Sequence, residues 1–359
     1  MEPKRDPSIS ESAPAAGAGP PAASADPSAP PAAAAGAGAP IPLRILASDR
    51  RVSGNEKRKP LRVYDRLSPA PPPPRRPDWL RARIPTGASY HETKSILRTL
   101  DLHTVCESAN CPNIGDCFSR HTATFLILGN VCTRSCPFCD IRSGKPLPVD
   151  PEEPRRVAEA VRRLGLHYAV VTSVNRDELP DGGASHFAAV IRSIREAIPS
   201  AKVEVLIPDF LGDDDALRTV LDAKPDVLNH NLECVKRLYK RVRPAGRYDR
   251  SLRLLQNVAT WTTDIPAKSG IMVGVGETNE EVEETLRDFH AHGVSMVTIG
   301  QYLPPSGSHL PLERYVTPAE FAHFREYGLS LGIRQVASGP LVRSSYHAEE
   351  QAGETVFIP

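Results

Sequence analysis

The chain has 359 residues, 24% of them charged and 40% hydrophobic, with 36 prolines, 24 glycines, 7 cysteines and a formal net charge of +1. That length is ample for a buried core, the near-balanced charge supplies no general field for nucleic acid, and no run of about 18 apolar residues exists to span a membrane. Half of the prolines, 18, fall in residues 1–90, so a disordered front is expected ahead of a globular body.

Residues 1–40 are almost wholly Ala, Pro, Gly and Ser, with two basic and four acidic side chains; residues 41–90 carry twelve basic and four acidic. The front lacks the apolar core of a secretory signal. Glu2, Asp6, Glu11 and Asp26 are at odds with an Arg-rich, acid-poor mitochondrial presequence. A bacterial cytoplasmic location is the expectation. With so little apolar surface to offset the entropy of ordering, residues 1–75 are predicted to be disordered, first Ala/Pro-rich and then basic. The basic part reads as a solvated linker, and Pro71–Pro74 as a short polyproline spacer.

From about residue 120, short apolar runs alternate with amphipathic stretches. The predicted strands are 124–128, 168–174, 203–207, 226–229, 269–273 and 295–300. The predicted helices are 152–164, 185–197, 213–222, 250–262, 278–291 and 318–330. Runs such as Thr124-Phe125-Leu126-Ile127-Leu128 suit strands covered on both faces. Six β-then-α units imply a parallel sheet, doubly wound or curled toward a barrel. Polar residues gather just after the strands, as in Asn175-Arg176-Asp177 and Asn229-His230-Asn231, where α/β folds place their sites.

Six of the seven cysteines form two triplets, Cys106-x4-Cys111-x5-Cys117 and Cys132-x3-Cys136-x2-Cys139. Nothing indicates export, so thiolate ligands are favoured over disulfides. Zinc favours paired C-x2-C knuckles and a closed set of four, whereas two sets of three suit iron–sulfur clusters better. Three thiolates on a four-iron cluster leave one iron open, as an open catalytic zinc site does, and a molecule with an amine and a carboxylate can chelate it. Cys234 has no cysteine neighbour and is expected to be a small helix residue outside any ligand set.

The C-x3-C-x2-C loop after the first strand, with Phe138 between its last two cysteines, resembles the radical S-adenosylmethionine superfamily. Gly270-x-Met272-x-Gly274-x-x-Glu277 resembles the element of that superfamily that lies against the adenine. The first triplet, within Cys106-Glu107-Ser108-Ala109-Asn110-Cys111-Pro112-Asn113-Ile114-Gly115-Asp116-Cys117, narrows the resemblance to the lipoyl synthase family. So do Arg343-Ser344-Ser345-Tyr346, Val203 to Phe210 and Asn229 to Glu233. The likeness covers about residues 78–359.

The resemblance implies a partial (β/α)6 TIM-like barrel over residues 120–333. An auxiliary-cluster segment, 76–119, precedes it, and a C-terminal segment, 334–359, closes over it. Two [4Fe-4S] clusters are implied: one on Cys132, Cys136 and Cys139 that binds and cleaves S-adenosylmethionine, and an auxiliary one on Cys106, Cys111, Cys117 and Ser345 that is consumed as sulfur donor. The implied reaction inserts sulfur at C6 and C8 of an octanoyl chain on a carrier-protein lysine. The implied partners are octanoylated lipoyl domains of 2-oxoacid dehydrogenase E2 subunits, the glycine cleavage H protein, a flavodoxin- or ferredoxin-type reductant and iron–sulfur assembly proteins. Thr172, Ser173, Glu204 and Asn229, near strand ends, and Gly274 and Glu277 are expected to contact S-adenosylmethionine; Arg343 is expected to steady the auxiliary cluster or the bound methionine group. The alternatives are a biotin-synthase-like sulfur-inserting enzyme, a non-catalytic electron-transfer protein with fully ligated clusters, and a zinc-stabilised binding module.

Overall fold

A computed structural model describes residues 75–82 and 87–353 of the chain. Ten strands are present among them: β1 His103–Thr104, β2 Thr124–Ile127, β3 Val131–Cys132, β4 Arg142–Ser143, β5 Tyr168–Ser173, β6 Lys202–Leu206, β7 Val227–Asn229, β8 Ala267–Val273, β9 Met296–Gln301 and β10 Gln335–Gly339. Eight form one sheet in the order β1-β2-β5-β6-β7-β8-β9-β10, while β3 and β4 pair separately. Apart from the antiparallel β1–β2 pair, all neighbours in the large sheet are parallel. The sheet is open, with β1 and β10 as its edges.

Parallel order follows from the helices that return the chain between strands. These are Glu153–Arg163, Ala184–Ala197, Asp214–Asp222, Tyr248–Trp261, Asn279–Ala291 and Pro318–Ser330. Several starts are written locally. Asp213 accepts from the Asp215 and Ala216 amides, and Thr278 and Thr317 form capping boxes with Glu281 and Glu320; each such cap is worth about 1 kcal/mol. Helix faces carrying Phe187, Leu286 and Phe324 are fully buried with Phe125, Val171 and Val205 of the strands. Covering strands on both faces is what makes them continuously apolar.

The six predicted strands and six predicted helices all lie within two residues of observed ones. Two parts of the sheet escaped the sequence reading. β10 holds only two clearly apolar residues, Val336 and Ala337, yet pairs with β9 along all five positions, giving the parallel array a seventh strand. β1 is two residues long, below any usable periodicity. Cys234 is fully buried in the core but lies in a bend, not in a helix, because the chain breaks there to bridge Glu233 to Ile271. The expectations for residues 1–75, Pro71–Pro74 included, fall outside the described residues except at Arg75.

Two features deliver the cysteines. Ahead of the barrel, Cys106 lies in the helix Val105–Ser108 and Cys117 in Ile114–Ser119, with Cys111 in the turn between them. After β2 the chain turns through Leu128 and Gly129, both with left-handed φ (65° and 89°). This corner is costly for leucine and is clamped. The Leu128 amide donates to Glu153 Oε2 (2.8 Å) and its carbonyl accepts from Arg176 Nη1 (2.9 Å), while the His186 ring lies 2.7 Å from the same Glu153 oxygen.

Candidate active site

At the C-terminal ends of the strands lies a cavity of about 530 Å³. Cys106, Cys111, Cys132, Cys136, Cys139 and Ser345 all line it. Cys117 is not on its wall, yet its thiol is close enough to Cys106 and Cys111 for both to perturb it. The asparagine Asn110 of the first segment donates to Asp140, just past the second triplet, and Asn113 Nδ2 donates to the Leu341 carbonyl at 2.8 Å. Both triplets and the C-terminal segment therefore meet at one place.

The second triplet sits on a loop pinned at both ends. β3 pairs with β4, the Gly144 amide donates to the Cys132 carbonyl (2.9 Å), and the Thr133 amide to Asn175 (3.1 Å). Three N–H groups aim at Cys132 Sγ: the amides of Arg134 (3.4 Å) and Asn175 (3.3 Å), and Asn175 Nδ2 (3.7 Å). Arg134, between the cysteines, is buried and bridges Asp177 (2.7 and 2.8 Å) and Asp209 (2.7 Å). Burial alone would raise the Asp209 carboxyl, but the hydrogen bond and charge of Arg134 outweigh it and hold it below the usual range.

Burial pushes the Cys136 thiol up to about 11 and the Cys106 and Cys139 thiols up to about 12. Cys117 is raised as well, by burial and then by Cys106 and Cys111. Such thiols hold their protons at neutral pH until a metal displaces them. Among the described residues no three His, Cys, Asp or Glu side chains converge on a single metal ion; the thiols are spread around a common space instead.

The rest of the wall is largely apolar, with side chains such as Leu126, Ile141 and Met272, and its polar minority is incompletely satisfied. Among the described residues, Ser173 Oγ, Asn175 Oδ1 and Asn231 Oδ1 are buried with no hydrogen-bond partner, and all three residues face the cavity. Buried polar atoms left so are costly and suit a polar ligand. Thr172 also lines the cavity but spends its hydroxyl on the Leu206 carbonyl (2.9 Å). The half-buried Glu233, the buried Arg243 and the half-buried Arg343 bring one acid and two cations to the same wall. Burial raises the Glu233 carboxyl, with Arg243 opposing.

Four expected contact residues are not on this wall. Glu204 is fully buried in an ion pair with Lys268 (2.8 Å) and accepts from the Tyr168 hydroxyl (2.8 Å), so its carboxylate is already used. Asn229 is buried off the cavity, its side-chain atoms without partners among the described residues. Glu277 turns back on its own loop, accepting from the amides of Gly274 (2.6 Å) and Val275 (2.9 Å). Gly274 has φ 98°, and a Cβ there would strike the Arg314 carbonyl. Gly270, Ile271 and Met272 are the residues of that element that reach the cavity. The sequence reading missed Asn175, Asn231, Glu233 and Arg243. Asn175 and Asn231 lie in marked strand-end clusters, and Glu233 in the stretch from Asn229 that carries the family resemblance; Arg243 is one of many cations in its stretch and carries no local signal. His230 does line the cavity, but both ring nitrogens are taken, by the Ile207 carbonyl and Ser251 Oγ at 2.9 Å each.

Residues 126–289 match the model of the radical SAM superfamily, and residues 65–111 match that of the N-terminal domain of lipoyl synthase. A lipoyl synthase of Rubrobacter xylanophilus is 59% identical over 276 residues, covering 77% of this chain and 86% of its own. One of Laribacter hongkongensis is 52% identical over 299 residues, covering 83% and 95%. Among solved structures, methylornithine synthase matches with a TM-score of 0.46 at 16% identity, over 62% of this chain and 73% of its own.

Proposed function

This chain belongs to the lipoyl synthase family, and we propose that the cavity at its strand ends divides the work of sulfur insertion between the two triplets. The enzyme is a radical S-adenosylmethionine sulfurtransferase acting on lipoyl carrier proteins, placing two sulfurs on an octanoyl chain held by a lysine. The target carbons are unactivated, so no side chain can deprotonate them. When bound, S-adenosylmethionine and two four-iron clusters supply what the chain lacks: an electron to cleave the sulfonium, a radical to remove hydrogen, and sulfide for the new bonds.

The donor set fits these groups. Cys132, Cys136 and Cys139 would hold the cluster that serves S-adenosylmethionine. The N–H groups aimed at Cys132 Sγ stabilise a thiolate there and tune the potential of what it binds. Ser173, Asn175 and Asn231, with their unspent buried atoms, orient the polar groups of the nucleotide. The opposed charges of Glu233 and Arg243 suit its amine and carboxylate. Cys106, Cys111, Cys117 and Ser345 would hold the auxiliary cluster, with the Arg343 guanidinium beside Cys111 to offset its negative charge. A serine alkoxide is a hard donor among soft thiolates, which suits the corner that must yield.

The observation that carries this reading is the convergence of thiols from both triplets and Ser345 on one cavity. Anaerobic reconstitution followed by iron counting tests it. About eight irons per chain are expected for two cubanes, and about four after removal of either triplet. A count unchanged by either removal would refute the two-site division. We further place the enzyme in the bacterial cytoplasm, with E2 subunits and the glycine cleavage H protein as carriers, a flavodoxin- or ferredoxin-type electron donor, and iron–sulfur assembly proteins for reloading. Among the described residues no helix is long and apolar enough to cross a membrane. The twelve basic side chains of residues 41–90 suit an acidic carrier. Removing residues 1–75 should weaken carrier binding and leave S-adenosylmethionine cleavage intact; unchanged binding would discard that docking role.

A further inference from the structure

Lys268, the second residue of the parallel strand β8, has no exposure and is paired with a glutamate that has none either. Its ammonium lies 2.8 and 3.1 Å from the two Glu204 oxygens, and Glu204 also takes the Tyr168 hydroxyl. A buried pair repays its desolvation only when the remaining protons find acceptors. An ammonium has three donors. The third contact of Lys268 is to the Ser344 carbonyl at 2.8 Å, from a residue 76 positions further along the chain. Three strands thus carry a socket for the C-terminal segment, and without that segment one donor of a fully buried cation is left empty.

The surroundings are shaped for the same segment. A Cβ at Gly300 would collide with the Val342 carbonyl, so only glycine lets the segment lie against β9. Asn231 Nδ2 donates to Ser344 Oγ at 3.2 Å. Tyr168 and Val170 pack on Ala348 beyond it. The carbonyl that Lys268 holds belongs to the peptide linking Ser344 to Ser345, so fixing it fixes where the Ser345 hydroxyl enters the cavity.

We propose that Lys268, braced by Glu204, is a positioning residue that docks the C-terminal segment from inside the barrel and thereby presents Ser345 to the auxiliary cluster. The inference rests on the reading of Ser345 as a ligand, and its test separates the two. Hydrogen exchange is followed on iron-loaded protein kept free of oxygen, in the double variant Lys268→Met/Glu204→Gln, which removes the pair without leaving a lone buried charge. The Tyr346 amide, bonded to the Arg343 carbonyl at 3.0 Å, should exchange roughly tenfold faster, while the amides of β5 and β6 keep their rates. Iron spectra on a Cys132→Ala/Cys136→Ala/Cys139→Ala background should lose their oxygen-ligated site. Tyr168→Phe leaves the contact from Lys268 to Ser344 in place and should leave the Tyr346 rate alone. Unchanged exchange in the folded double variant, or equal acceleration by Tyr168→Phe, overturns the proposal. If the double variant does not fold, the parent protein still decides: the Tyr346 amide must open together with the Lys268 strand, and a faster local opening overturns the docking. In Ser345→Ala the exchange should stay slow while the oxygen-ligated iron signal disappears; a signal that persists removes Ser345 as ligand and leaves the docking to stand on exchange.

Discussion

Cys132, Cys136 and Cys139 sit on a loop held by its own neighbours, whereas Cys106, Cys111 and Cys117 belong to a site finished by the far end of the chain. The first loop has β4, Asn175, Asp177 and Asp209 around it, with Arg134 tying the last two together. The first triplet has two short helices and reaches its proposed fourth donor through Asn113 and Leu341 and through the half-exposed Arg120, which bonds Glu350 at 2.9 Å. A loop so braced by its own neighbours suits a centre that must survive each turnover. A site joined from two separate segments suits one that is taken apart and refilled.

Exchanging cysteines tests this contrast most severely. Cys132→Ala, Cys136→Ala or Cys139→Ala should abolish both 5′-deoxyadenosine and lipoyl product. Cys106→Ala, Cys111→Ala or Cys117→Ala should abolish the lipoyl product alone, as read by chromatography of the nucleoside and mass spectrometry of an octanoylated peptide. Loss of nucleoside formation in both sets would erase the division. Next in size, Arg134→Ala leaves buried Asp209 with Arg250 as its remaining ion-pair partner among the described residues and should cost about 3 kcal/mol in urea unfolding, with iron lost first from the second triplet.

His230, behind that same loop, gives a pH dependence. Burial, and then the Arg243 charge, lower its pKa from 6.5 to about 3, with Asp209 opposing. Above pH 6.5 the ring is neutral folded and unfolded, and contributes no slope. Below it only the unfolded chain gains the proton, so stability should fall by about 1.4 kcal/mol per pH unit until about pH 3 is reached. Urea titrations of the parent and His230→Asn between about pH 7 and about pH 5 should show the slope reduced by one proton in the variant. The smallest effect is expected at Arg120, whose side chain is 49% exposed. Arg120→Ala should cost under about 1 kcal/mol and show as faster exchange at the C-terminal helix Ala348–Ala352, with the loop around Cys132 unmoved.

Much of this was legible beforehand because its signals are local. Continuous apolar runs marked the covered strands, and cysteine spacing marked both triplets. What stayed hidden depends on partners far along the chain or on depth within the sheet. Glu204 looked like a strand-end ligand because alternation gives the side on which a residue points but not which neighbour meets it there, and Lys268 lies 64 positions away. Glu277 was expected against a ligand, yet the close turn of Gly274 and Val275 offers it two amides first. β10 escaped because Gln335, Ser338 and Gly339 lack a strand's apolar signature; its place comes from β9 already standing beside it.

The Asn113 to Leu341 hydrogen bond joins residues 228 positions apart, and this separation sets an order of events during synthesis. The loop of Cys132 to Cys139 can close as soon as β3 and its neighbours leave the ribosome, but the cavity wall beside Cys106 and Cys111 is not complete until Leu341 and Ser345 emerge. A nascent chain stalled between those points would carry three uncommitted cysteines, a window in which oxidants or stray metals compete for them.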